Sequence, residues 1–85
     1  MFEDKITSMT NIKILIHSDI LIQLKQQLAA EKRGYQLDCF FTVADFLASA
    51  QDYSRETPIY FSSEFEKEIP HLEFKHIYPL QELNE

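Results

Sequence analysis

The chain of 85 residues has one cysteine, one glycine and eight lysines and arginines, and each shortage removes a class of function. A single thiol, Cys39, permits neither an internal disulfide nor a cysteine-built zinc site, which fits a reducing compartment. Gly34 is the only glycine, so no glycine-rich loop can cradle a nucleotide and no nucleophile-elbow glycines flank a serine. The cations are scattered, with only Lys32 and Arg33 adjacent, and the formal net charge is −6. Such a surface repels nucleic-acid phosphates and anionic membranes. No apolar run approaches membrane-spanning length, and Met1–Lys5 is acidic without the apolar core of a signal peptide. The expectation is a cytoplasmic protein that binds neither nucleic acid nor membrane.

What is present suits one small globular domain. Hydrophobic residues make up 45% of the chain, too many for a disordered segment, and seven Phe and four Tyr supply large areas to bury. Residues 1–10 read as a polar, mobile leader and residues 11–85 as a single domain. The clearest stretch is Ile12-Lys13-Ile14-Leu15-Ile16, apolar on both faces as the interior strand of a helix-covered parallel sheet must be. Ser18 or Asp19 is a natural cap for a helix from Ile20 to about Lys32, with Leu21, Leu24 and Leu28 as its apolar stripe and Gln23, Gln26, Gln27 and Glu31 mostly opposite. Gly34 stops it, because the position after a helix favours a left-handed residue.

Tyr35 to Phe41 alternates like an edge strand, and Thr42-Val43-Ala44-Asp45 opens a second helix to about Asp52 with Val43, Phe46, Leu47 and Ala50 inward. Pro58 introduces a third strand, Ile59-Tyr60-Phe61. Ser63-x-x-Glu66 reads as the start of one or two helical turns, with Phe65 and Ile69 inward, ended by Pro70. A last strand is expected over Glu73–Tyr78, followed by a turn that places Leu80 and Leu83 on the core. Short links and right-handed crossovers predict an α/β fold: a four-stranded parallel sheet of order 2-1-3-4, two main helices and one short helix.

Ile14-Leu15-Ile16-His17-Ser18-Asp19-Ile20-Leu21-Ile22, then Leu24, Leu28 and Lys32-Arg33-Gly34-Tyr35-Gln36-Leu37, resembles the opening of response-regulator receiver domains. Phe41-Thr42-Val43-Ala44-Asp45-Phe46-Leu47 resembles the family's second helix, and the likeness spans Ile12 to Ser63. It implies a flavodoxin-like, shortened fold and a signalling role. In that family an acidic pair after the first strand binds magnesium, and an aspartate after the third accepts a phosphoryl group. A Ser/Thr after the fourth strand and a Lys after the fifth complete the site. Carried over, the acidic pair falls on His17 and Ser18, with Asp19 just beyond, and the acceptor falls on Ser62. The Ser/Thr position falls near Pro79, and the fifth strand with its lysine has no counterpart. Magnesium needs clustered carboxylate oxygens and an acyl phosphate needs a carboxylate nucleophile, so the resemblance implies a phosphorylation-incompetent relative.

Three functions compete on these residues. A non-catalytic regulatory protein would act by self-association or through a protein partner, using sheet surface left uncovered around Tyr60; Phe74, His76 and Tyr78, with Phe65 and Leu80 nearby, are the expected contacts. A small anion sensor or minor enzyme would use the strand tips, with His17, Ser18, Asp19, Ser62 and Ser63 converging there. An antitoxin- or immunity-like inhibitor would turn its acidic surface on a basic partner. No cofactor and no metal are expected: His17, His71 and His76 lack the spacing of a ligand pair.

Overall fold

The computed structural model describes residues 11–84; the leader expected over residues 1–10 lies outside the described residues. The first strand, β1 (Ile12–Ile16), is interior. It pairs in parallel with β2 (Gln36–Phe40) on one side and β3 (Ile59–Phe61) on the other, and β4 (Ile77–Pro79) adds in parallel to β3. The order is therefore 2-1-3-4 and every pairing is parallel, as the succession of strands and crossovers predicts. Ile14, Leu15 and Ile16 are completely buried because both faces of β1 are covered.

The pleat sends alternate residues to two cores. One gathers Ile14, Ile16, Ile59, Phe65, Ile69 and Leu72 under α2 (Val43–Leu47), whose Val43 and Phe46 point inward. Aromatic rings thicken this layer: Phe46 lies 5.4 Å from Phe40 and 5.3 Å from Phe74, centroid to centroid. The other core holds Leu15, Leu37 and Tyr60 beneath α1 (Ile20–Arg33) and the last turn, Leu80–Asn84, through Ala30 and Leu83.

Local signals set the helix ends. Asp19 caps α1 by accepting the Leu21 N–H at 2.9 Å, and Thr42 caps α2 by accepting the Asp45 N–H at 3.0 Å. Gly34, at φ 82°, ends α1. Its N–H reaches the Glu31 carbonyl and that of Tyr35 reaches Ala30, the paired bonds of a Schellman motif.

Some segments depart from the expected lengths. The second helix stops at Leu47 and resumes only as a 3-10 turn, Ala50–Asp52. The short helix after Ser63 is two 3-10 turns, Ser63–Phe65 and Ile69–His71. No side chain caps their starts, and Pro70 sits inside the second turn, where it removes an N–H. Phe65 and Ile69 are nonetheless buried. The last strand spans Ile77–Pro79 and not Glu73–Tyr78. Arg55 explains this: its Nη1 donates to the Glu73 carbonyl at 3.0 Å, and its own carbonyl accepts from the Lys75 N–H at 3.1 Å. The backbone before His76 is thereby tied to a loop instead of a ladder.

The largest departure is the rotation of α1. The leucine stripe faces out, with Leu21 71%, Leu24 50%, Leu28 62% and Ile20 48% exposed. Gln23, Gln26 and Ala30 form the buried face. At about 100° per residue the two sets lie roughly opposite one another around the helix.

Candidate functional site

The strand tips do converge. Ser62 follows β3 and its N–H bonds the Ile16 carbonyl at 3.0 Å, which sets it beside His17 and Ser18 at the end of β1. Glu64, from the turn after β3, fills the space between them: its Oε2 accepts from Ser18 Oγ at 2.7 Å and from Ser62 Oγ at 3.2 Å. His17 Nδ1 accepts the Asp19 N–H at 3.0 Å, so a neutral ring carries its proton on Nε2. Ser63 is exposed and, with His17, Ser62, Leu80 and Gln81, lines a shallow cleft.

The donors that an anion would need are thus engaged within the cluster: both hydroxyls point at a carboxylate, and the Leu21 N–H is taken by Asp19. Glu64 and Asp19 add negative charge where an anion would sit, which opposes its binding. Neither serine has a histidine partner to activate it, because the His17 nitrogen that accepts is already bonded to backbone. Among the described residues, no group of three or more His, Cys, Asp or Glu side chains is placed to hold a metal ion.

The five residues expected to form a contact surface have other employment. Phe65 is a core residue. Phe74 is partly buried against Phe46, and Tyr78 packs on Tyr60 with ring centroids 5.4 Å apart. Leu80 packs on the core beneath α1, in the same turn as Leu83. His76 is half-exposed, its Nε2 3.2 Å from Glu56 Oε1, and Glu56 also pairs with Lys75 at 2.7 Å. Lys75 and then His76 hold the Glu56 carboxyl below its usual range. The sheet surface expected to lie bare is covered by the turn Leu80–Asn84, whose Leu83 is 2% exposed.

Among the described residues, four of the six exposed large hydrophobics lie on the outer face of α1, with Phe41 and Leu47 the others. The inner face of the helix works differently from a leucine seam. Gln23 Nε2 donates to the carbonyls of His17 at 2.8 Å and Phe40 at 3.1 Å, which closes the carboxyl ends of β1 and β2. Gln27 Nε2 donates to the Leu37 carbonyl at 3.3 Å. Since the Gln36 N–H and the Phe40 carbonyl both bond toward β1, the alternate Leu37 carbonyl opens on the free edge of the sheet, and Gln27 covers it. The Phe40 carbonyl also accepts the His17 N–H at 2.9 Å, so among the described residues the bonds that only the glutamines supply are those to the His17 and Leu37 carbonyls.

Ala30, with no bulk beyond Cβ, lies against Leu15 and Leu37. Ile20, Leu21, Leu24 and Leu28 are left in a continuous stripe, with Phe41, 45% exposed, next to the carbonyl that Gln23 holds. The signal for this arrangement was the clustering of Gln23, Gln26 and Gln27 with Ala30 on one side of the helix. No described helix is long and apolar enough to cross a membrane. No protein-family model, curated protein or solved structure matches the chain.

Proposed function

We propose that this protein is a non-catalytic regulatory module that acts by protein–protein association through the outer face of α1. The observation that carries this reading is the outward stripe of Ile20, Leu21, Leu24 and Leu28 on a helix whose buried side is built from glutamine and alanine. Each buried leucine contributes about 1.5–3 kcal/mol, so three leucines held in water on one side of one helix represent association energy still to be realised. The parallel sheet of order 2-1-3-4, with its polar strand tips, supports a receiver-like ancestry. Ser62 in place of an acceptor carboxylate supports the absence of phosphoryl transfer, since an acyl phosphate needs a carboxylate nucleophile at that position. The ligand-sensor reading draws no support from the tips, where Glu64 occupies the place an anion would take.

Two measurements test the proposal. Incubation with acetyl phosphate and magnesium is expected to leave the intact mass unchanged, and a covalent phosphoryl increment overturns the switch-less reading. A Leu21→Gln/Leu28→Gln variant is expected to keep its thermal midpoint while losing binding of an apolar fluorescent dye. A collapse of the midpoint would place those leucines in the core and end the reading.

A further inference from the structure

We infer that the cavity between the end of α2 and the segment leading into β4 binds a small aromatic carboxylate. The cavity measures about 470 Å³, within the range of small-molecule sites. Its walls belong to the core under α2, on the opposite face of the sheet from α1, so it stands apart from the proposed association surface. The crossover is what leaves it open. Between β3 and β4 the chain makes two 3-10 turns in place of a helix, and α2 stops at Leu47, so little bulk stands between them.

The walls are apolar and largely aromatic. Phe74 lies 5.3 Å from the Phe46 ring and Tyr53 lies 6.1 Å from it, centroid to centroid, and Leu47 and Ala50 complete the lining. Leu47 is 54% exposed, so it has contact area to offer. The Tyr53 hydroxyl is taken up by Asp38 at 2.6 Å, which leaves the ring as what Tyr53 presents to a guest. Such rings favour another ring set edge-on or offset.

Arg55 supplies the polar end. Its Nη1 donates to the Glu73 carbonyl at 3.0 Å and to Glu73 Oε1 at 2.6 Å, which uses both hydrogens of that nitrogen and pins the planar guanidinium beside the cavity. Its Nε and Nη2 bond nothing among the described residues. Those two nitrogens form a pair of parallel donors whose spacing matches the two oxygens of a carboxylate. An apolar wall with one oriented fork beside it takes a ring that carries a single carboxylate. Glu73 repels that charge, which favours a monoanion over a phosphate dianion and keeps binding weak. A ligand of about eleven non-hydrogen atoms is expected to dissociate at about 1 mM in such a site.

Titration of the full chain with 3-phenylpropionate, followed through backbone amide chemical shifts, is the test. The shifts are expected to saturate and to centre on residues 47–55 and 71–74. 3-Phenylpropanamide keeps the ring and the length but loses the charge, and is expected to bind about tenfold more weakly. Propionate, without the ring, is expected not to saturate. Arg55→Lys keeps the charge and loses the fork, so it is expected to weaken 3-phenylpropionate about tenfold. Because Arg55 also ties down the backbone before His76, Leu47→Glu provides a variant that acts without disturbing that tie. Its exposed position should leave the dispersion of the amide resonances intact, while a carboxylate on the wall abolishes binding. Shifts that stay linear in ligand concentration, or that centre elsewhere, overturn the site. An amide that binds as well as the acid, or an Arg55→Lys or Leu47→Glu chain that binds as the wild type does, overturns the assignment of carboxylate and wall.

Discussion

Gly34 sits at φ 82° with nothing within 4 Å of where a Cβ would stand, so its conformation alone decides the cost of replacing it. An L side chain in the left-handed region costs about 1–2 kcal/mol. Gly34→Ala is therefore expected to lower the thermal midpoint by several degrees, and Gly34→Asn by less, as calorimetry would show. Cys39 gives a second residue-scale prediction. Burial, and then the charge of Asp38, push its thiol up to about 11. Burial and a 2.6 Å hydrogen bond to Asp38 push the Tyr53 hydroxyl up as well. The unfolded chain releases these protons first as pH rises, so stability is full below the ordinary thiol range and falls above it. Thermal midpoints across that range should decline, and Cys39→Ala should flatten the early part of the decline. The same raised thiol is expected to react slowly with alkylating reagents at pH 8.

At the scale of the element, α1 inverts the usual reading of an amphipathic helix. Gln23→Ala removes two hydrogen bonds and leaves the His17 and Phe40 carbonyls without that donor, so it should destabilise by about 1–3 kcal/mol. Leu24→Gln, on the outer face, should change stability by less than about 0.5 kcal/mol. Urea unfolding of the two variants measures the contrast, and the reverse order would mean that the leucines face the sheet. The helix itself was legible in the sequence, from the Asp19 cap to the Gly34 stop, because both signals are local. Its rotation was not, because that depends on carbonyls contributed by β1 and β2, which only the assembled sheet brings within reach. Strand order was legible for a similar reason, since Ile12–Ile16 is apolar on both faces and the connections are short. The length of β4 was not, because Arg55, far from Glu73 in the chain, intercepts the backbone that would have extended it. The strand-tip residues were brought together as their positions implied, but Glu64, read only as part of an acidic run, is the group that fills their centre.

At the scale of the molecule, the sheet face under α1 needs more cover than one helix gives, and the turn Leu80–Asn84 supplies it. Leu83 packs with Leu15, Ala30, Leu37 and Tyr60, and Arg33 Nη1 donates to its backbone carbonyl at 3.0 Å. The last turn of the chain and the last turn of α1 therefore hold one another in place. The two contributions separate cleanly, because Leu83→Ala removes the packing and keeps the carbonyl, while Arg33→Gln removes the charged donor and keeps the packing. The first should cost about 2–5 kcal/mol through the cavity it leaves, and the second about 1 kcal/mol. A domain of this size is stable by only about 5–10 kcal/mol, so Leu83→Ala should shift the urea midpoint far more than any change on the outer face of α1. The denaturant slope then reports what the helix does. An unchanged slope with a lower midpoint means that α1 keeps its glutamines on the sheet around a smaller side chain. An altered slope means that the helix has turned to fill the space with a leucine, which would make the clasp between Arg33 and Leu83 part of what keeps the outer stripe available for pairing.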